Sequence, residues 1–211
     1  MKANIVSLTC CAGCVSSLLN AGEAFLEIIS GDFEIVYSPT FVDLAEIPSV
    51  DLAIVEGGVR TEEDERFIRE VRAKCRVLVS LGLCSTHGGI TSLGNIFSVK
   101  KLLEKQYSLL SPSKLPGLED LMYPICNFVD VEYYVPGCPP MPLTIVHTLK
   151  NIVGGKEPIR HQSVVCTECH RKIVPAKLDH LYGIYEKEAD PELCLVSPVS
   201  YTHLRAHETV L

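Results

Sequence analysis

Short apolar runs punctuate the chain, each closed by a glycine or proline break and most followed by a helical stripe. Residues 5–8, 34–37, 51–55, 76–81 and 131–135 read as strands. Residues 15–29 read as one helix, with Leu18, Leu19, Phe25, Leu26 and Ile29 on its apolar stripe. Thr61 is placed as an N-cap with Asp64 three residues on, opening a charged helix over 62–74. Further helices are predicted over 99–106, 143–152 and 178–187, with 82–90 and 111–117 as loops. Strands alternating with helices predict an α/β fold, a flavodoxin-like parallel sheet sandwich, over residues 1–155. Gly154 and Gly155 mark the boundary, and no internal repeat is visible.

The cysteines add chemistry to this pattern. Cys11 and Cys14 (C-A-G-C), Cys84 (G-L-C-S-T-H-G-G-I) and Cys138 (V-P-G-C-P-P) each fall where a predicted strand ends. Ligands of open parallel sheets bind at the carboxyl edge of the strands. Three loops supplying four thiolates there match the requirement of a 4Fe–4S cluster. Gly13, Gly82, Gly88, Gly89 and Gly137 let backbone approach such a cluster. The turns and the helix start after Cys14 are expected to point N–H groups at its sulfurs. Taken alone, Cys11 and Cys14 also fit a thioredoxin-like redox pair.

Composition narrows the classes. At 211 residues, 47 % hydrophobic, the chain has ample material for a core. A formal charge of −7 argues against a nucleic-acid surface. No stretch is apolar for long enough to span a membrane, and the first residues lead straight into a strand, with no secretory or twin-arginine leader. The location expected is cytoplasmic, where ten cysteines read as cluster or metal ligands, not as a disulfide framework. Neither a G-x-G-x-x-G nor a P-loop is present, so no nucleotide site is expected.

The ordered set C-A-G-C, V-E-G-G-V, G-L-C-S-T-H-G-G-I and V-P-G-C-P-P resembles the small, electron-transfer subunit of cytosolic nickel–iron hydrogenases. It is most similar to the methyl-viologen-reducing, non-deazaflavin-reducing type, over about residues 3–195. The resemblance implies that Cys11, Cys14, Cys84 and Cys138 hold a proximal 4Fe–4S cluster. It implies a nickel–iron centre in a separate large subunit only, an acceptor subunit downstream, and no catalytic residue in this chain. It also assigns Cys166, Cys169 and Cys194 to a distal cluster lacking its fourth cysteine. A zinc ribbon using His170 or His180 is the alternative for that segment.

Cys10 opens a second reading. The tandem Cys10-Cys11 resembles the 20 kDa cluster-bearing subunit of complex I, in which Cys10 would replace Cys14. The C-x-x-C spacing keeps both thiols near one helix start, whereas neighbours in extended backbone face opposite ways. Cys10 is therefore expected beside the cluster as a non-ligand. A zinc- or cluster-bound assembly domain is a third, non-enzymatic class. Cys75 and Cys126 are expected as small core residues, and His147 as structural. His87 is read either as tuning a cluster or as a loop residue. Glu56 is read either as a carboxylate near the large-subunit contact or as an acceptor for the glycine loop after it. An exposed apolar patch is expected around Cys11, Glu56 and Gly137. Residues 156–198 are expected to form a partial iron–sulfur segment. Residues 199–211, with His203 and His207, read as a foreign tail on a shortened chain.

Overall fold

The structure, a computed structural model, describes residues 1–31, 33–42, 46–106, 117–156 and positions 170, 172 and 192. The chain divides into two units, Met1–Ile159 and Arg160–Leu211. In the second unit the described positions carry one backbone bond, Lys172 N–H to Glu192 C=O at 3.0 Å. Cys166, Cys169, Cys194 and the predicted helix over 178–187 lie outside the described residues, as do His180, His203 and His207.

The first unit is built on a parallel five-stranded sheet. Its strands are β1 (Lys2–Ser7), β2 (Glu34–Tyr37), β3 (Val50–Glu56), β5 (Cys75–Leu81) and β7 (Tyr133–Val135), ordered β2-β1-β3-β5-β7. The order reverses direction at β1/β3, as in flavodoxin-like folds. The register aligns Ser7 with Glu56 and Glu56 with Leu81. The three central strands therefore end at one level.

The strand sequences are mostly apolar because both sheet faces are buried. Ala3, Ile5, Leu52, Ile54, Val79 and Leu81 face one layer, packed on Val15, Leu18, Phe25, Ile28, Ile145 and Leu149. These come from α1 (Gly13–Leu19), α2 (Glu23–Gly31) and α6 (Pro142–Val153). Val6, Leu8, Ala53, Val55 and Leu78 face the other layer, with Ile68 and Val71 of α3 (Glu62–Ala73). Truncating Leu52 or Leu78, both fully buried, to alanine would cost about 2–5 kcal/mol.

The predicted cap is present. Thr61 accepts the Asp64 N–H at 3.0 Å, and the Asp64 carboxylate accepts the Thr61 N–H at 3.0 Å. Three differences have local causes. The single helix predicted over 15–29 is two, because Gly22 takes φ +56° between them. Residues 82–90 are not a loop: α4 (Gly82–His87) follows β5 directly, and a 3-10 helix covers Ile90–Ile96. A helix of six residues leaves too little periodicity to be read. A small antiparallel pair, β4 (Val59–Thr61) with β6 (Leu118–Tyr123), adds to the predicted strands; three residues are too few to show an alternating pattern. α5 occupies Val99–Gln106, as predicted.

Candidate functional site

The three cysteine segments leave the sheet at its carboxyl edge, after β1, β5 and β7. Cross-links hold them together. Leu83 N–H donates to Gly137 C=O at 2.8 Å, tying the Cys84 segment to the Cys138 turn. Ser17 Oγ donates to Pro140 C=O at 2.6 Å, tying α1 to the same turn. Gly58 N–H donates to Thr9 C=O at 3.1 Å, joining the end of β3 to the chain before Cys10. The Cys138–Pro139 peptide bond is cis.

Four thiols converge at this edge. Burial pushes the Cys14 thiol well above its ordinary value, and Glu56, Cys84, Cys11 and Cys138 add to the rise in that order. Burial likewise raises Cys84; the Thr91 hydroxyl opposes the rise, and Cys11 and Glu56 add to it. Glycines leave the space around the sulfurs. A Cβ on Gly82 (φ +87°) would collide with Cys14 Sγ, and one on Gly89 (φ +64°) would stand 2.6 Å from Cys84 Sγ. Neither position tolerates a side chain without displacing a thiol. Ala12 sits in the left-handed region at φ 59°, strain of about 1 kcal/mol or more inside the C-x-x-C turn.

Among the described residues, no three His, Cys, Asp or Glu side chains converge tightly enough to hold a single ion. A 4Fe–4S cube binds each thiolate to its own iron and so spaces four sulfurs more widely than one ion does. Four soft thiols from three cross-linked segments, with side-chain-free space beside them, fit that group. They suit a tetrahedral zinc ion poorly.

Glu56 has partners that the sequence did not disclose. It is 1 % exposed, and Ser7 Oγ donates to its Oε1 at 2.8 Å. The backbone N–H groups of Cys14 and Val15 both donate to its Oε2 at 3.2 Å. The carboxylate thus accepts from the C-x-x-C segment and from Ser7, and not from the glycine loop after it, the donor in one of its two sequence readings. It also takes the two N–H groups expected to point at sulfur. Being buried, it is no part of an exposed apolar patch.

The remaining cysteines separate by environment. Cys10 is half-buried near Glu56, and its sulfur accepts the Ala12 N–H at 3.4 Å. Burial first, then Glu56, push this thiol up to about 11, against the Ala12 bond. Cys75 is half-buried at the start of β5, beside the Arg72 guanidinium at 3.6 Å. Cys126 is exposed, contrary to the expected core position, because the 3-10 turn Ile125–Asn127 buries Ile125 instead. His87 is exposed, its Nδ1 2.8 Å from Thr86 Oγ1, and His147 is exposed on α6.

Apolar side chains stand exposed beside the thiols. Ile90, Leu93 and Ile96 are 54 %, 66 % and 78 % exposed. Their spacing of three on a 3-10 helix stacks them in one row, which begins next to Gly89. Met141 and Leu143 are exposed just past the Cys138 turn.

Comparison with known proteins gives the family. Residues 11–152 match the family described as NADH ubiquinone oxidoreductase, 20 Kd subunit. A subunit of the F420-non-reducing hydrogenase vhu of Methanocaldococcus jannaschii is 38 % identical over 204 residues, 92 % of this chain and 70 % of the relative. The delta subunit of the NAD-reducing hydrogenase HoxS of Cupriavidus necator is 28 % identical over 170 residues, 74 % of this chain and 80 % of the relative. A chain from the crystal structure of an NAD+-reducing NiFe hydrogenase in the H2-reduced state aligns with TM-score 0.69 and 30 % identity. That alignment covers 75 % of this chain and 94 % of the other.

Proposed function

The chain belongs to the NADH ubiquinone oxidoreductase 20 Kd subunit family and within it is a hydrogenase electron-transfer subunit, and from that premise we propose that Cys11, Cys14, Cys84 and Cys138 bind a 4Fe–4S cluster. The observation that carries the assignment is the convergence of four thiols from three strand ends on Cys14. The complex I and assembly-domain readings give way, because these relatives are hydrogenase subunits. The chain assembles with other hydrogenase subunits as part of an oxidoreductase. Among its described residues no helix is long and apolar enough to cross a membrane.

When bound, the cluster supplies a one-electron relay between the site that splits dihydrogen and the next carrier. The protein's part is placement. The thiolates fix the cluster at the sheet edge, Gly82 and Gly89 keep its space open, and the Leu83–Gly137 and Ser17–Pro140 bonds hold the loops in one arrangement. The partner facing this edge is a large subunit carrying a nickel–iron centre, where dihydrogen yields two protons and two electrons. The exposed row Ile90, Leu93 and Ile96, continuous with the Cys84 segment, supports a protein partner there. A further subunit takes the electrons onward. The same reading gives Cys166, Cys169 and Cys194 to a second, distal cluster.

Iron and labile sulfide analysis of the anaerobically isolated complex, with electron paramagnetic resonance after reduction, tests the assignment. The four-ligand site should contribute about four irons and a one-electron signal. Both should vanish in Cys138→Ser, and full iron retention in that variant would overturn the ligand set.

A further inference from the structure

Among the described residues Glu56 is the only Asp or Glu that is buried, and electron relay as described above assigns it no task. A carboxylate withdrawn from water is costly unless hydrogen bonds compensate it. Here they do: the Ser7 hydroxyl and the N–H groups of Cys14 and Val15 all donate to it. No Lys, Arg or His neutralises it through any ion pair among the described residues. Its charge therefore stands uncancelled at the end of β3, close enough to act on Cys14 and Cys84.

We propose that Glu56 is a positioning residue that holds the Cys14 loop and keeps the reduction potential of the bound cluster low. The inference rests on the cluster assignment above. Two effects act in the same direction. A fixed negative charge in a low-dielectric edge opposes the arrival of an electron. The carboxylate also occupies the N–H groups of Cys14 and Val15, which would otherwise stabilise the reduced, more negative cluster by bonding its sulfurs. Local charge and hydrogen bonds to sulfur are two of the levers that set iron–sulfur potentials.

The test is a redox titration of the complex with a low-potential chemical reductant, following the proximal-cluster resonance signal, in wild type, Glu56→Gln and Ser7→Ala. Glutamine keeps an oxygen acceptor for the backbone but removes the charge. With full iron content, Glu56→Gln should shift the midpoint to a more positive value. Ser7→Ala removes one compensating donor and should shift it the other way, by less. Unchanged midpoints in both variants overturn the inference. If Glu56→Gln takes up no iron, Ser7→Ala decides alone: a more negative midpoint supports the proposal and an unchanged one refutes it. A wild-type complex without the cluster would overturn the ligand assignment itself and this inference with it.

Discussion

Strand β5 carries a cysteine at its start, Cys75, and leads at its end into another, Cys84, and the two edges of the sheet that they mark could hardly differ more. At the amino edge Cys75 is a solitary thiol in a neighbourhood of paired charges. Arg76 lies 3.5 Å from Asp51, Lys74 2.7 Å from Glu70, and Arg72 bonds both Glu132 and the Cys75 sulfur. An open cleft of about 390 Å³ lies there, lined by Lys2, Asp51, Lys74, Cys75 and Arg76, but its charged groups largely satisfy one another. At the carboxyl edge thiols from three strand ends meet, glycines withhold side chains, and one buried carboxylate organises the backbone. Residue type is the same at both ends; convergence distinguishes them. A cleft is a poorer guide here than the place where separate strand ends bring ligands of one kind together.

The sharpest way to break this comparison is to exchange its two cysteines for alanine. Cys84→Ala should abolish the cluster and, with it, hydrogen-dependent dye reduction by the complex, a loss of roughly two orders of magnitude or more. Cys75→Ala should leave both within about twofold and cost about 1 kcal/mol of stability or less for a half-buried thiol. Dye-reduction assays and iron analysis on the two complexes check this pair. Equal losses would erase the distinction between the edges.

Gly82→Ala probes the space rather than the ligand. The added Cβ would overlap Cys14 Sγ in a residue held at φ +87°, so both strain and displacement oppose it. A cost of about 1–3 kcal/mol is expected, together with a large loss of iron uptake although every cysteine remains. Gly22→Ala, also at positive φ but with nothing within 4 Å of its Cβ, should cost stability without touching iron content. Thermal melts and iron analysis separate the two.

Much of the fold was legible in the amino-acid pattern, because strands buried on both faces write themselves as short, mostly apolar runs and Thr61 and Asp64 spell a cap. The proposed ligands were legible too, each sitting one short turn beyond such a run. The arrangement around them was not. Glu56 bonds donors from β1 and from α1, and nothing in V-E-G-G-V tells which neighbouring strand end will supply them. Helix α4 and the start of the 3-10 row from Ile90 hide in G-L-C-S-T-H-G-G-I, where glycines signal a loop and elements of six or seven residues run for only about two turns. Cys126 departs from its expected core position because an apolar local run does not say which of its members faces in.

Two smaller effects sharpen the picture away from the edge. Thr61→Ala removes the α3 cap and should lower stability by about 1 kcal/mol, read as a lower melting temperature with cluster content intact. Burial raises the Cys75 thiol above its ordinary value, although Arg72 opposes the rise. The reactive thiolate is therefore scarce at neutral pH and grows only as pH climbs past the usual thiol range. Alkylation mapped by mass spectrometry should mark exposed Cys126 first and Cys75 late, with the Cys75 rate still rising above about pH 9.

The central claim is that four converging thiols, not merely thiols at the right edge, make the site. Cys10 and Cys14 test it most directly, since both lie at that edge and both are half-buried. Iron content and the reduced-state resonance signal of the complex should be compared in Cys14→Ala and Cys10→Ala, alanine being unable to ligate iron. The account predicts that Cys14→Ala loses the cluster and Cys10→Ala keeps it. Loss in Cys10→Ala with retention in Cys14→Ala would contradict it and make the tandem cysteines the ligand pair.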